Sequence, residues 1–226
     1  MTDASLPRIE PARRRNGSVT ATVREQLEDM IFRGDLSAGV RLNESQLSEI
    51  LGVSRGPIRE ALRLLAQDGL VAISSNQGAF VRQHTIEDAL EIYDLRAAIA
   101  GYACACLTRR ATQAMKRELR GIVERMADAI EQGDAPTYFA LNLTFHDRIA
   151  ELSGATRSSE LYASLGKEVR VLRQRVLKGS SSMQKSHEEH VRILEAVESG
   201  DPEAARRAAE DHHMSGKQRW LDTLKR

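Results

Sequence analysis

The sequence has no run of uncharged apolar residues long enough to cross a membrane. A membrane helix needs about 18 such residues in a row, and no segment of the 226 residues approaches that. The first residues also lack the apolar centre of a signal peptide, since residues 1–17 are polar and carry consecutive arginines at 13–15. We therefore expect residues 1–17 to form a loose arm, and the protein to be cytoplasmic with no membrane partner.

Cysteine is almost absent. Cys104 and Cys106 lie two positions apart in a segment with helical patterning, and side chains at that spacing on a helix do not face each other. A disulfide or a shared metal ion between them is therefore disfavoured. We predict two reduced thiols in a helical core.

An excess of charge of one sign is also missing. The chain has 33 basic and 32 acidic side chains and a formal net charge of +1, so any argument for nucleic acid depends on local placement. Every basic side chain before Lys116 is arginine. Arginine makes forked contacts to guanine and phosphate, although a GC-rich genome would produce the same bias.

The composition is that of a folded protein, with 41% apolar and 29% charged residues, and its length favours two domains. Residues 18–83 predict a winged helix-turn-helix. Asn43 begins a capping box, Gly52 ends the second helix, and Ser54 caps the third. Two short apolar runs then predict a β-hairpin. The predicted helices cover 19–32, 44–51 and 55–68, and the hairpin runs cover 71–73 and 79–81.

Residues 84–226 show helical patterning throughout, and no segment alternates like a strand. The stop signals between apolar stripes predict six helices, at 85–107, 112–132, 135–153, 159–178, 183–199 and 202–224. The second domain is therefore an all-α bundle, joined to the first near Gln83 and His84, and the whole protein is mainly α.

The third predicted helix carries Arg55, Arg59 and Arg63 at positions i, i+4 and i+8, opposite its apolar face. Guanidinium groups on such a helix pair with the O6 and N7 acceptors of guanine or with phosphates. A solvated arginine face is the ordinary alternative for a lone helix, but the surrounding turn and hairpin favour DNA. In the hairpin, Gly78 would let the backbone approach DNA, and a simple turn is the equal alternative.

Residues 42–62, LNESQLSEILGVSRGPIREAL, closely resemble the N-terminal domain of GntR-family transcriptional regulators. The resemblance implies DNA contacts at Arg55, Arg59 and Gly78, to which we add Ser54 and Arg63. Two positions differ from the family pattern. Residues 36–39 read LSAG where the family often has L-x-P-G, and Ser45 stands where some members carry a basic residue.

The second domain contains a histidine set. Asn142 and His146 are spaced i, i+4 on one predicted helix, and His190 and His212 lie on two others. Three imidazoles and an amide oxygen facing inward would make a metal site with open positions, although scattered histidines are more often surface or core residues. We place the neighbouring His187 and His213 outside the site.

This domain resembles the FCD ligand-binding domain of the FadR subfamily. The matching segments are NLTFH at 142–146, EHVRILEAV at 189–197, and DPEAA at 201–205 leading to His212. In metal-containing members these positions supply ligands, so the resemblance implies a divalent metal (Zn²⁺, Ni²⁺ or Mn²⁺) at Asn142, His146, His190 and His212. Asn142 replaces the commoner aspartate.

These features predict a ligand-responsive transcriptional regulator, a homodimeric repressor of a palindromic DNA operator that senses a small organic acid. Arg96 is a candidate partner for the acid's carboxylate, against the alternative of a surface ion pair with Glu91 or Asp94. Two other classes stay open. A metal-dependent enzyme is disfavoured because no H-E-x-x-H motif, nucleophile elbow or phosphate loop is present, and an architectural DNA-binding protein is disfavoured by the inward histidines.

Overall fold

The computed structural model describes residues 18–173 and 180–225. It divides into two units, one built on residues 18–85 together with 170–173 and the other on residues 86–169 and 180–225. The predicted arm at 1–17 and the predicted helix end at 174–178 lie outside the described residues. Among the helices that are described, none combines the length and the apolar character that a membrane span requires.

The first unit is a winged helix-turn-helix, as predicted. Its helices are α1 (Val19–Arg33), α2 (Glu44–Leu51) and α3 (Arg55–Gln67), and its strands are β1 (Arg41–Leu42), β2 (Val71–Ser74) and β3 (Gly78–Val81). The antiparallel sheet has the order β1-β3-β2. The sequence analysis missed β1, because a strand of two residues has no periodicity of its own and exists only through pairing with β3.

The helix boundaries of this unit follow local capping. The Asn43 side chain accepts hydrogen bonds from the backbone N–H groups of Ser45 and Gln46, and Gly52 ends α2 at φ 66°, a left-handed conformation that favours glycine. The prediction for Ser54 was wrong in one respect: it occupies the N-cap position of α3, but its side chain makes no capping hydrogen bond. Its hydroxyl is therefore available to another partner.

Packing decides which face of α3 points outward. Ile58, Leu62 and Leu65 are almost completely buried in the core of the unit. They lie on the side of the helix opposite Arg55, Arg59 and Arg63, which are all exposed. The apolar side chains thus fix the rotation of the helix about its axis and leave three arginines in solvent.

The second unit contains six α-helices in its described part, as predicted. They are α4 (Ile86–Arg110), α5 (Gln113–Glu131), α6 (Ala135–Leu152), α7 (Thr156–Arg173), α8 (Ser180–Ser199) and α9 (Pro202–Leu224). Tyr93, Tyr138 and Phe145 are its largest fully buried side chains. A β-carbon on Gly101 of α4 would lie 2.8 Å from the Glu210 side chain of α9, so the glycine permits a close approach of these two helices.

Both cysteines are free thiols, as expected. Cys104 is buried in the core of the second unit, and burial raises its pKa to about 12. Cys106 is partly exposed, so the prediction of a core position was wrong for this residue.

Candidate DNA-binding surface and candidate metal centre

The outward arginines of α3 differ in their partners. Arg59 forms an ion pair with Glu44 at the start of α2, with Nη2 2.8 Å from Oε2 and Nε 3.1 Å from Oε1. Arg63 pairs with Glu60 on its own helix, with Nη1 3.6 Å from Oε2. Arg55 makes no ion pair with any residue of the described chain. The surface therefore presents one oriented guanidinium and one without a carboxylate partner.

The ion pair of Glu44 and Arg59 shifts the pKa of both groups. The hydrogen bond from Arg59 lowers the pKa of the Glu44 carboxyl below its ordinary value, and the same bond raises the pKa of Arg59. Both groups therefore stay charged at neutral pH, and the guanidinium keeps its anchor.

The wing places a further arginine beside Gly78. Gly78 begins β3 at φ 95°, and a β-carbon there would lie 3.7 Å from Nε of Arg41. Arg41 is exposed, and in the β1–β3 pairing it lies opposite Phe80. The tip residues Asn76 and Gln77 are exposed as well. The sequence analysis missed Arg41, and the signal that would have found it is the register between β1 and β3.

The three predicted histidines meet inside the second unit. His146 Nε2 lies 3.1 Å from Nε2 of both His212 and His190, and one ligand atom from each ring falls within 4.8 Å of the others. The residues are 8%, 0% and 3% exposed for His146, His190 and His212. Three different helices, α6, α8 and α9, supply them.

The fourth predicted ligand, Asn142, lies one helical turn before His146 on α6 and is buried. Residues at that spacing share a helix face. The amide is therefore on the side of α6 that carries His146.

A carboxylate holds one of these rings. The Nδ1–H of His212 donates to Oε2 of Glu189 at 2.8 Å, which leaves Nε2 of the neutral ring as the atom that faces the cluster. Glu189 in turn accepts hydrogen bonds from both terminal nitrogens of Arg219, at 2.7 and 2.9 Å. The sequence analysis gave neither Glu189 nor Arg219 a role. The local clue to Glu189 in the sequence is its position next to the predicted ligand His190.

His213 lies beside the cluster but has other partners. Its Nδ1–H donates to the Ala209 carbonyl at 2.8 Å, and its Nε2 lies 2.9 Å from the Tyr162 hydroxyl. Because a carbonyl only accepts, Nδ1 carries the hydrogen and Nε2 of the neutral ring accepts from the hydroxyl. Both ring nitrogens are thus engaged, which explains why the adjacent His212 is in the cluster and His213 is not.

Arg96 is buried, and this contradicts the alternative of a surface ion pair. Its Nη1 donates to the Tyr162 carbonyl at 3.0 Å, and its guanidinium carbon lies 3.9 Å from the centre of the Tyr162 ring. A β-carbon on Gly166 would lie 2.7 Å from the same Nη1, so this glycine makes room for the arginine. Asp94, one of the alternative partners, pairs with Lys217 instead.

The donor set fits a divalent cation. Nε2 of His146 can either donate one hydrogen or accept one, yet it lies 3.1 Å from two other ring nitrogens. Hydrogen bonding alone therefore leaves one of the two contacts unfavourable, whereas a cation among the three lone pairs satisfies both. Ligand nitrogens about 2.1 Å from a metal are about 3–3.4 Å apart, which agrees with the observed spacing.

Comparison with known proteins agrees with both units. Residues 19–81 match the bacterial regulatory proteins of the gntR family, and residues 91–214 match the FCD domain. The HTH-type transcriptional regulator YdhC of Bacillus subtilis is 32% identical, over 80% of this chain and 81% of that protein. The probable D-xylose utilization operon transcriptional repressor of Paenarthrobacter nicotinovorans is 31% identical, over 88% of this chain and 86% of that protein.

The fold is shared with McbR/YncC of E. coli, whose structure has a TM-score of 0.77 at 22% identity and covers 92% of this chain and 99% of its own. The family and these relatives are regulators, so the expectation that the chain is not an enzyme is confirmed. The chain belongs to the GntR family of bacterial transcriptional regulators, among the members that join the DNA-binding domain to an FCD domain.

Proposed function

We propose that the protein is a homodimeric repressor whose second unit senses a small organic acid through a divalent metal. The observation that carries this proposal is the convergence of three buried imidazoles in the helical unit, with Nε2 of His146 3.1 Å from Nε2 of both His190 and His212. Burying three polar rings is costly unless a partner satisfies them. A repressor acts where its operator is, so the proposal includes a cytoplasmic location.

DNA is bound by α3 and by the wing. Arg55 and Arg59 read base edges in the major groove, while Ser54 and Arg63 bind phosphate. The Ser54 hydroxyl is exposed and makes no capping hydrogen bond, which supports a phosphate contact by this residue. At the wing, Gly78 permits close approach to the sugar–phosphate backbone and Arg41 supplies the charge beside it.

The operator is a palindrome bound by two copies. One winged-helix domain reads only a few base pairs, and pairing two recognition helices by two-fold symmetry supplies the missing specificity. Light scattering of the free and DNA-bound protein tests this. A monomer that binds DNA one to one would refute the dimer.

The metal is held by His146, His190 and His212, with Asn142 as an oxygen ligand. Such a site suits Zn²⁺, Ni²⁺ or Mn²⁺, and the bound ion would act as a Lewis acid with an open position for a carboxylate. A neutral amide oxygen neutralises less of the positive charge of the ion than an aspartate carboxylate would. The ion therefore keeps more of its attraction for an anionic effector.

Arg96 is the second contact for the effector. It is a buried cation whose partner Tyr162 hydrogen bonds to His213, and the Tyr162 ring centre lies 6.4 Å from that of His146. A carboxylate between Arg96 and the metal would meet two positive charges in a site of low dielectric constant. This pairing selects anions over neutral sugars.

A thermal-shift screen tests the proposal. Metal-stripped protein is screened with carboxylic acids, each with and without Zn²⁺, Ni²⁺ or Mn²⁺. An acid that raises the melting temperature only with metal is then added to the protein bound to an operator selected from random duplex DNA. The proposal predicts a metal-dependent shift and a weaker operator complex; acids that act equally without metal would refute metal sensing.

A further inference from the structure

Both oxygens of Glu189 accept hydrogen bonds beside the candidate metal centre. Glu189 lies on α8, immediately before His190, and is 8% exposed. Its Oε2 accepts from His212 Nδ1 at 2.8 Å and from Arg219 Nη2 at 2.9 Å, while its Oε1 accepts from Arg219 Nη1 at 2.7 Å. Both oxygens are thus engaged on the side of His212 that is opposite Nε2.

We propose that Arg219 is the positioning residue of the metal centre. In this arrangement, which we call the clamp, Arg219 holds both oxygens of Glu189 and keeps this carboxylate bound to Nδ1 of His212 and out of the coordination shell. The ring of His212 is then fixed with its Nε2 toward the ion. This inference rests on the proposed metal site and assigns a task to a residue that is not one of its ligands.

The placement of Arg219 on α9 makes this arrangement possible. His212 and Arg219 are spaced i, i+7, so they lie two turns apart on one face of the helix. The match to the FCD domain ends at residue 214, and Arg219 lies beyond it. The matched segment therefore includes Glu189 and His212 but not Arg219.

The chemistry of the clamp depends on arginine. Its planar fork bonds both carboxylate oxygens at once, which a lysine ammonium does not do. Without the fork, Glu189 would be a buried anion with one donor, and a bound metal ion would attract it. The carboxylate would then turn toward the ion, and His212 would lose the bond that orients its ring.

The test uses full-length protein and Co²⁺, which reports its coordination by its visible absorption. Affinity is measured by competition with a chelator for the wild type, Arg219→Ala, Arg219→Lys and Glu189→Gln. We expect Arg219→Ala and Glu189→Gln to bind Co²⁺ about 10- to 100-fold more weakly, with altered absorption bands in Arg219→Ala. Arg219→Lys should fall between Arg219→Ala and the wild type.

Lys217→Ala is the matched control. Lys217 lies two residues from Arg219 on α9 and also pairs with a carboxylate of another helix, with Nζ 2.5 Å from Oδ1 of Asp94. It should bind Co²⁺ as the wild type does, with the same spectrum. This control separates loss of the clamp from loss of any cross-helix ion pair on α9.

Failure of this inference differs from failure of the proposed function. If the wild type binds Co²⁺ and Arg219→Lys and Glu189→Gln match its affinity and spectrum, the clamp is refuted while the metal site stands. If the wild type binds no Co²⁺, both are refuted. Because Arg219→Lys keeps the charge and Glu189→Gln keeps the shape, the test holds even if Arg219→Ala does not fold.

Discussion

The guanidinium of Arg59 on α3 is held by the carboxylate of Glu44 on α2, with Nη2 2.8 Å from Oε2. The pair uses the edge of the guanidinium that carries Nε and Nη2. Of the five N–H donors of arginine, those on Nη1 still point away from Glu44. An exposed ion pair adds little to stability, so its effect is to orient an arginine whose free edge can approach a base.

We expect Arg59→Ala to weaken binding to the specific operator by about 10- to 100-fold, if the side chain makes a two-pronged contact to guanine. Discrimination against operators changed at that base pair should fall with it. Fluorescence anisotropy at fixed salt measures both quantities. Glu44→Gln should give a smaller loss of the same kind, because the arginine remains but its anchor is weaker.

Arg33→Ala is the control for this prediction. Arg33 lies at the end of α1 and is also an exposed arginine in an ion pair, with Nε 2.9 Å from Oδ2 of Asp35. Its removal should leave operator binding unchanged. Equal affinities for the wild type and Arg59→Ala would remove Arg59 from base recognition.

Arg41→Ala should weaken binding in a different way. Because Arg41 lies beside the wing glycine rather than on α3, we expect it to contact the DNA backbone. Its loss should reduce affinity for specific and non-specific DNA alike. The negative slope of log K against log salt should become shallower by about one. A salt titration of the wild type and Arg41→Ala checks this. An unchanged slope in Arg41→Ala would exclude a phosphate contact.

His146→Ala and His190→Ala should each abolish metal binding and the effector response, while basal operator binding stays largely intact. Each change removes one of three converging ligand nitrogens, and the two imidazoles and one neutral amide oxygen that remain make a poor site for a divalent ion. Elemental analysis of the purified variants measures the metal content. The wild type should also melt at a higher temperature with metal than after chelation, since the ion binds the folded state.

His213→Ala is the sharp control here. His213 is buried next to His212, but its two nitrogens are bonded to Ala209 and Tyr162. Its removal should cost stability and leave the metal content unchanged. A metal-free native protein, or equal metal in the His146 and His190 variants, would contradict the site.

Two helical glycines should respond to alanine with opposite signs. In Gly166→Ala the new β-carbon would lie 2.7 Å from Nη1 of the buried Arg96, so we expect a loss of about 1–3 kcal/mol from overpacking. In Gly121→Ala on α5 nothing lies within 4 Å, so we expect a gain of about 0.5–1 kcal/mol from helix propensity. Urea unfolding measures both, and equal effects would contradict the contact.

Cys104 should resist alkylation in the native protein. Burial raises its pKa to about 12, so the reactive thiolate is scarce at every pH below that value. At pH 8, iodoacetamide should label the partly exposed Cys106 first. Mass spectrometry of the peptides should show labelling of both thiols only after unfolding, whereas native labelling of Cys104 would contradict its burial.

The sequence by itself determined the local structure. The side chain of Asn43 and the glycine at 52 bound α2 because capping acts between near neighbours. The apolar spacing of Ile58, Leu62 and Leu65 also determined which arginines of α3 face solvent. The helix count of the second unit followed from the same short-range patterns, and so did the spacing of Asn142 and His146.

The tertiary structure decided everything that depends on contact between distant segments. Glu44 meets Arg59 across 15 positions, β1 exists only through β3, and Glu189 meets Arg219 across 30 positions. It also decided that His212 joins the cluster while His213 bonds to Tyr162, although both are adjacent on α9. Adjacent helical side chains point about 100° apart, so only the packing of the other helices assigns each ring its partner.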